Sequence, residues 1–239
     1  MTKRVRTIIF VILVFLFAVA APSAIFYSQG YRVDFGEKKI VQTGGLYFKV
    51  SPSKVEVHIN GKFKKNTSLI TNTFYIENLL PKTYKVEIKK DGYHAWIKTL
   101  EVKEKEVTEA KNIILFPKNP QFSIADKMPT KIINSATSTD KEKVLESNNY
   151  EIWVYFAKKD ERIFLTRFSE KIVNIFWLND YYLIFNVGDK IKIAEIDNRD
   201  GLNIIDFAEF KNPRIVWDKN TKELYISSEG ILYKTSIAF

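Results

Sequence analysis

The hydrophobic and polar positions divide the chain into an apolar N-terminal segment and a long region of alternating residues. Residues 7–31 contain no charged side chain and are mostly apolar. A stretch of about 20 apolar residues is long enough to cross a bilayer as a helix. From residue 44 onward, apolar and polar side chains alternate with a period of two, which is typical of strands that bury one face. The pattern therefore predicts an N-terminal transmembrane helix followed by an all-β protein.

The charges on either side of the apolar segment indicate its orientation. Lys3, Arg4 and Arg6 precede the segment, whereas Arg32 and Asp34 on its far side cancel each other. The positive-inside rule then places the N-terminus in the cytoplasm. We therefore expect a single-pass protein of the cell membrane with the bulk of the chain extracytoplasmic.

A cleaved signal peptide is the alternative interpretation of the same segment. Ala18-Val19-Ala20 has the small-residue pattern that signal peptidase recognises, and cleavage would follow Ala20. A retained anchor is favoured because the apolar run continues through Ile25-Phe26-Tyr27. A typical signal-peptide core stops after about 7–15 residues.

Residues 44–117 have the pattern of a small antiparallel β-sandwich. Strands are predicted near residues 45–51, 54–60, 72–79, 83–90, 94–103 and 107–116. The dipeptides Asn60-Gly61 and Asp91-Gly92 mark turns, because they accept the positive φ that a tight hairpin requires. Alternation places one set of residues on the buried face: Tyr84, Val86, Ile88 and Trp96. Lys98 and Leu100 fall on the same side of their strand as Trp96, opposite Ile97 and Thr99. Lys85 and His58 are expected on the surface.

Several spaced motifs in this region resemble the PEGA family. They are Gly45–Pro52, then Val55-x-Val57-x-Ile59-Asn60-Gly61, Leu79-Leu80-Pro81-x-x-Tyr84-x-Val86, and Lys90-Asp91-Gly92-Tyr93 followed by Trp96. The Pro-Glu-Gly-Ala that gives the family its name is Pro52-Ser53-Lys54-Val55 in this chain. The resemblance implies an extracytoplasmic, β-rich module for display or adhesion that carries no catalytic residues.

The C-terminal half of the chain repeats with a period of 40. Trp177 and Trp217 are 40 residues apart at the ends of apolar strands, and Asp140, Asp180 and Asn220 mark turns at the same interval. Four strands in such a period are typical of a β-propeller blade. We therefore expect about three propeller-like four-stranded repeats, with each of the two tryptophans packed between adjacent sheets.

The last repeat lacks a fourth strand of its own. Two sources are open: the segment Gln121–Ala125 or another molecule. Closed propellers typically have 4–8 blades, so about three repeats cannot close into a ring. The apolar side chains on the outer faces of the first and last sheets are then exposed unless another surface packs against them. A contact with the sandwich in the same chain is favoured over a dimer or a foreign partner.

These patterns predict a division of the chain into five parts. They are residues 1–31 (cytoplasmic tail and transmembrane helix), 32–43 (juxtamembrane linker), 44–117 (PEGA-like β-sandwich), 118–130 (linker) and 131–239 (incomplete propeller-like β-repeat domain).

Composition narrows the chemistry that the chain can perform. The net charge of +9 is spread over short pairs such as Lys64-Lys65, which favours a solvated surface over a nucleic-acid groove. A weak attraction to anionic cell-wall polymer is compatible with it. The chain has no cysteine, so thiol catalysis and cysteine metal sites are excluded.

No motif for catalysis or for a cofactor stands out. His58 and His94 are expected to be surface residues without a second metal ligand at a suitable spacing. Asp197–Gly201 superficially suggests a calcium loop but lacks the later glutamate, so a hairpin turn is expected there. Phosphate loops and nucleophile elbows do not occur. The sequence thus predicts a protein that is not an enzyme and needs no cofactor.

Four aromatic residues are candidates for a binding surface: Trp153, Tyr155, Tyr181 and Tyr182. Such rings could stack on carbohydrate, although their strand spacing favours packing between sheets. The leading hypothesis is a non-enzymatic, membrane-anchored surface protein of the cell envelope that displays β-domains to wall polymer, carbohydrate or protein partners. The alternative is a structural assembly component, a homo-oligomer whose open β-edges pair between chains.

Overall fold

The computed structural model describes residues 2–66, 72–129 and 135–237. Within these residues the chain forms one α-helix and six small β-sheets. The predicted fold class is confirmed: the protein is all-β, with an apolar N-terminal helix, a β-sandwich region and propeller-like repeats.

Helix α1 (Lys3–Ser28) contains the apolar segment. None of its described residues is buried, and it is long and apolar enough to cross a membrane. Gly30 ends the helix with a φ of +85°, a conformation that glycine adopts without steric cost, and its N–H donates to the carbonyl of Tyr27 at 3.2 Å.

A β-hairpin follows the helix in the region for which the sequence predicted a linker. Strands β1 (Tyr31–Asp34) and β2 (Lys39–Gln42) pair antiparallel, with Val33 opposite Ile40. The turn is closed by the carboxylate of Asp34, which accepts a hydrogen bond from the N–H of Gly36 at 2.9 Å. The hairpin is short and its apolar residues are few, so the sequence gives it only a weak periodic signal.

The sandwich region forms two sheets close to the predicted strand positions. Its strands are β3 (Gly44–Ser51), β4 (Glu56–Ile59), β5 (Lys62–Asn66), β6 (Thr73–Leu79), β7 (Thr83–Lys89), β8 (Trp96–Glu101) and β9 (Val107–Ile114). The order is β6-β3-β9 in one sheet and β5-β4-β7-β8 in the other. Strand β5 was not predicted, because its lysine-rich sequence does not alternate.

The expected burial pattern of this region is confirmed for strands β7 and β8. Tyr84, Val86, Ile88 and Trp96 are buried, whereas Lys85 is exposed. His58 lies on the opposite, polar face of β4, as expected, and its side chain is 20% exposed. Its imidazole is half-buried beside Phe63, at a ring-centroid distance of 5.7 Å.

The repeats form three further sheets. Their strands are β10 (Ser123–Ile124), β11 (Lys143–Ser147), β12 (Glu151–Phe156), β13 (Glu161–Arg167), β14 (Ile172–Asn179), β15 (Tyr182–Val187), β16 (Lys190–Glu195), β17 (Ile204–Glu209), β18 (Arg214–Asp218), β19 (Glu223–Ser228) and β20 (Ile231–Ser236). The sheet orders are β11-β12-β13, β14-β15-β16-β17 and β10-β20-β19-β18. The strand predicted at residues 131–136 lies mostly outside the described residues.

The last repeat takes its fourth strand from an earlier segment of the same chain. Ser123 and Ile124 of β10 lie opposite Lys234 and Tyr233 of β20, and the N–H of Ala125 donates to the carbonyl of Leu232 at 2.8 Å. Of the two sources that the sequence left open, the segment Gln121–Ala125 is therefore the one used.

The chain divides into two compact units, each assembled from separate segments. Unit 1 comprises the described residues of Met1–Phe48, Thr73–Tyr84 and Leu100–Lys111, and unit 2 those of Lys49–Asn72, Lys85–Thr99 and Asn112–Phe239. In unit 1 the rings of Phe48 and Phe74 stack with their centroids 4.7 Å apart.

Two hydrophobic clusters in unit 2 hold neighbouring repeat sheets together. Trp177 belongs to a cluster that joins the first sheet to the second, including Ile152 and Phe185. Trp217 belongs to a cluster that joins the second sheet to the third, including Ile184. The prediction that both tryptophans pack between adjacent sheets is confirmed.

Candidate functional site

The sheet β11-β12-β13 has one face that points away from the hydrophobic cluster of the repeats. Ile152 and Val154 of β12 are buried in that cluster, so the alternate residues Trp153 and Tyr155 point to the other side. On β13, Phe164 lies opposite Trp153 and Arg162 lies opposite Tyr155. We call Trp153, Tyr155, Arg162 and Phe164 the outer aromatic face.

Ring contacts and a guanidinium group define the geometry of the outer aromatic face. The rings of Trp153 and Phe164 meet edge to face with centroids 4.8 Å apart, and Phe164 is 43% exposed. The guanidinium carbon of Arg162 lies 4.3 Å from the centroid of the Trp153 ring, which is cation–π distance. Arg162 also donates to a carboxylate oxygen of Glu146 at 2.8 Å. The rings are therefore held in place while one side remains accessible.

Tyr155 is fixed at the rim of this face by a charged neighbour. Its hydroxyl donates to the carboxylate of Asp160 at 2.8 Å, and this hydrogen bond raises the pKa of Tyr155. The phenol therefore stays neutral across the physiological range. A neutral tyrosine and a cationic arginine on one face suit a ligand that combines hydroxyl groups with negative charge.

The other two candidate aromatics do not join Trp153 and Tyr155. Tyr181 is 41% exposed and lies beside Lys143, whose Nζ is 5.2 Å from its ring centroid. Tyr182 is buried at 4% exposure, and its hydroxyl accepts the N–H of Ile114 at 3.0 Å. The candidate role of Tyr182 in a sugar-stacking surface was therefore wrong, because the ring is enclosed by the core.

A buried ion pair lies at a second polar site of unit 2, between Lys98 of strand β8 and Glu195 at the end of β16. Lys98 is 1% exposed, and its ammonium lies 2.5 Å from a carboxylate oxygen of Glu195. Trp96 Nε1 donates to the same carboxylate at 2.8 Å and Asn203 Nδ2 at 2.9 Å. Burial raises the pKa of Glu195, although the adjacent Lys98 acts in the opposite direction.

The ammonium of Lys98 also occupies the centre of the loop that superficially resembles a calcium site. It donates to the backbone carbonyls of Asp197, Arg199 and Gly201 at 2.6, 3.0 and 2.8 Å. Asp200 of the same loop accepts the backbone N–H of Thr99 at 2.5 Å. The loop is a turn, as predicted, and its carbonyl oxygens bind a cation that the chain itself supplies. We call Lys98, Glu195 and this loop the Lys98 cluster.

The Lys98 cluster confirms the predicted contact between residues 44–117 and the repeats. Trp96 and Lys98 belong to the sandwich region, whereas Glu195 and residues 197–201 belong to the second repeat. The alternation of strand β8 indicated that Lys98 faces the same side as Trp96. It gave no signal for Glu195 or Asn203, whose proximity depends on tertiary folding.

Asp140 and Asp180, the turn residues that mark the 40-residue period, also connect two repeats. The carboxylate of Asp180 accepts the backbone N–H groups of Thr139 and Asp140 at 2.6 and 3.1 Å. Burial works against ionisation of Asp140, but hydrogen bonds from Lys143, Ser138 and a backbone N–H lower its pKa to about 2. These contacts are structural, because each carboxylate is occupied by donors of the chain.

The expectation that His94 is a surface residue was wrong. His94 is half-buried and lines a small internal cavity with Trp96, Phe116 and Tyr182. Burial lowers its pKa, as does the nearby charge of Lys118, while Asp206 raises it. Across the described ranges, no group of three or more His, Asp or Glu side chains is placed to hold a metal ion.

Comparisons with known proteins find similarity only at a low level. No protein-family model matches the sequence, and no curated protein matches it. Among solved structures, the chain is similar to Hsv2 from Kluyvelomyces marxianus, with 9% identity and a TM-score of 0.23 over 79% of this chain and 46% of that one. It is also similar to a protein of unknown function from Bacteroides thetaiotaomicron VPI-5482, with 10% identity and a TM-score of 0.27 over 76% of this chain and 64% of that one.

A DUF3823 family protein from Bacteroides ovatus ATCC 8483 is similar at 12% identity and a TM-score of 0.24, over 82% of this chain and 97% of that one. The chain spans less than two thirds of the length of the first two structures. None of these similarities assigns a function to it.

Proposed function

We propose that this chain is a non-enzymatic surface protein of the cell envelope, anchored by α1, that displays its β-structure outside the membrane and binds an anionic, carbohydrate-containing polymer. The outer aromatic face is the observation that carries the proposal. The PEGA-like motifs of residues 44–117 support it, because that family implies a display or adhesion module.

The side chains of the outer aromatic face match the chemistry of such a polymer. The faces of sugar rings are apolar and stack on Trp and Phe, while their hydroxyl groups accept and donate hydrogen bonds at the rim. Arg162 and Arg167, whose side chains are 54% and 71% exposed beside Glu146 and Glu151, are the cationic groups that would meet acidic groups of the polymer. The net charge of +9 favours the approach of a polyanion over the whole chain.

Binding to purified, anionic cell-wall polysaccharide tests this assignment with the full chain in detergent. We expect Trp153→Ala to weaken binding by about tenfold or more, because a binding hot spot contributes about 2 kcal/mol or more. Phe63→Ala is the matched control, since Phe63 is an exposed aromatic residue (54%) on another sheet and its loss should leave binding unchanged.

Two results would contradict the assignment. Equal binding by both variants would exclude the outer aromatic face. Failure to bind polymer, combined with self-association that depends on protein concentration and is lost in Trp153→Ala, would favour the assembly alternative. The pairing of β10 with β20 favours display, because it covers the edge of the last sheet that an assembly would otherwise use.

The proposed topology predicts which part of the chain a protease can reach. Protease added to intact cells, or to spheroplasts if an outer membrane is present, should digest everything beyond about residue 35, because Lys3, Arg4 and Arg6 favour a cytoplasmic N-terminus. The membrane-bound fragment should retain residues 1–20 if the anchor is uncleaved, as mass spectrometry can establish. Protection of the bulk in both preparations would contradict the topology.

A further inference from the structure

The hairpin β1–β2 exposes a set of large apolar side chains directly after the membrane helix. Phe35 is 86% exposed, Ile40 72% and Val33 51%. Val33 and Ile40 are paired across the two strands and so share one face, while the neighbouring Val41 is buried at 2%. The hairpin thus has an inner face with a buried valine and an outer face that is apolar and uncovered within the described part of the chain.

The hairpin is fixed to the end of the helix by several short contacts. Arg32 donates to the carbonyl of Tyr27 at 2.8 Å, and its guanidinium carbon lies 3.5 Å from the centroid of the Tyr27 ring. The rings of Phe26 and Tyr31 meet edge to face at 5.5 Å. The N–H of Thr43, which follows β2, donates to the carbonyl of Gly30 at 2.9 Å. The position of the helix end therefore determines the position of the hairpin.

We propose that the β1–β2 hairpin lies in the headgroup region of the outer leaflet, with Val33, Phe35 and Ile40 inserted at the boundary with the acyl chains. The proposal rests on the anchor of the proposed function. A spanning helix places its end at the membrane interface, so the apolar phase nearest to the hairpin is the bilayer itself. Aromatic and aliphatic side chains beside basic ones are the combination that binds such an interface.

Two lysines indicate the lipid that the hairpin prefers. Lys38 and Lys39 are exposed and adjoin the apolar residues, in the turn and at the start of β2. Basic residues near a membrane surface are attracted to anionic lipids. The hairpin should therefore bind anionic phospholipid headgroups in preference to neutral ones.

Single-site labelling tests the proposal in the full chain, because the protein has no cysteine of its own. Ile40→Cys and Ile124→Cys form a matched pair, since these isoleucines are 72% and 73% exposed. Each variant carries an environment-sensitive fluorophore and is reconstituted into vesicles of phosphatidylcholine and phosphatidylglycerol. Lipids with a nitroxide near the headgroup should quench the label at position 40 several-fold more strongly than the label at position 124. The emission at position 40 should also shift to the blue.

A label at Phe15→Cys, in the middle of α1, separates failure of this proposal from failure of the anchor. Quenching at position 15 by deep nitroxides without quenching at position 40 would overturn the hairpin proposal and leave the anchor intact. A water-exposed label at position 15 would overturn both. A blue-shifted label at position 40 that lipid nitroxides do not quench would indicate that the label is surrounded by protein rather than lipid. That result would also overturn the proposal. Lys38→Gln should weaken quenching at position 40 in vesicles that contain phosphatidylglycerol and should have no effect in vesicles of phosphatidylcholine alone. An equal effect in both kinds of vesicle would exclude the preference for anionic lipid.

Discussion

Replacement of Lys98 by methionine is expected to destabilise the protein by about 3–5 kcal/mol, which is the usual cost of removing one partner of a buried ion pair. Methionine keeps most of the length of the side chain, so the loss comes from charge rather than from volume. Glu195, at 5% exposure, would then hold an unpaired negative charge, and three carbonyl groups of residues 197–201 would lose their donor. Chemical denaturation followed by circular dichroism measures the effect.

The control for Lys98→Met is Lys85→Met, because Lys85 is exposed on the neighbouring strand β7 and should change stability by about half a kcal/mol or less. The double variant Lys98→Met with Glu195→Gln should recover part of the loss, since it removes both charges and keeps an acceptor for Trp96. Similar stabilities of Lys98→Met and Lys85→Met would show that the ion pair does not hold the repeat to the sandwich region.

The deficit of Lys98→Met should depend on pH in a definite direction. Burial raises the pKa of Glu195, so the folded protein binds a proton at this carboxyl more readily than the unfolded chain does. The stability associated with that proton is fully present below the ordinary pKa of glutamate and is lost as the pH rises through the raised value. Lys98 acts to lower this pKa, so its removal in Lys98→Met raises the pKa of Glu195 further. The variant therefore loses more stability than the wild type as the pH rises, and the deficit should shrink on acidification and grow towards neutral pH.

Trp177→Ala is expected to lower the free energy of unfolding by about 3–5 kcal/mol, as truncation of a buried aromatic side chain does. Trp177 is 4% exposed in the cluster that joins the first two repeat sheets, and its Nε1 donates to the carbonyl of Ala136 at 2.7 Å. The substitution leaves a cavity between the sheets and removes one of two donors to the Ala136 carbonyl, which keeps the N–H of Leu145 at 2.8 Å. Urea denaturation of the two proteins in parallel measures the difference.

Trp153→Ala provides the comparison for Trp177→Ala, because it removes the same side chain from the outer aromatic face. Its effect should be smaller, about 1 kcal/mol, since the side chain is only half-buried and loses three surface contacts: the edge-to-face contact with Phe164, the cation–π contact with Arg162 and the hydrogen bond from Nε1 to the Glu151 carboxylate at 3.2 Å. A larger loss from Trp153→Ala than from Trp177→Ala would mean that the two faces of the first repeat sheet are assigned the wrong way round.

The sequence predicted which way side chains face better than it predicted what they meet. Period-two alternation placed Trp96 and Lys98 on one face of β8, and the spacing of Trp177 and Trp217 identified equivalent positions in two sheets. Alternation reports only the side of a sheet, so it did not indicate that a lysine in the buried row would find Glu195 in a distant repeat. A lysine between two inward-facing apolar residues was nevertheless a signal that a buried acceptor must exist.

The elements that the sequence did not predict are short or lack a periodic pattern. The hairpin β1–β2 has strands of four residues each, and β5 is rich in lysine. Tyr182 was a candidate for a surface because it is adjacent to Tyr181, yet Tyr181 lies in the turn whereas Tyr182 begins strand β15. The buried position of its ring is set by the sandwich region, whose backbone at Ile114 supplies the hydrogen-bond donor.

The pairing of β10 with β20 has a consequence for how the protein is made. It joins segments roughly 110 positions apart, and contacts of such long range slow folding, because a large loop must close before they form. The last sheet therefore cannot be completed until strand β20 has left the ribosome. In the proposed topology, that delay keeps the last sheet incomplete during synthesis. A translocation channel needs the chain in an unfolded state, so the sheet would close only on the far side of the membrane.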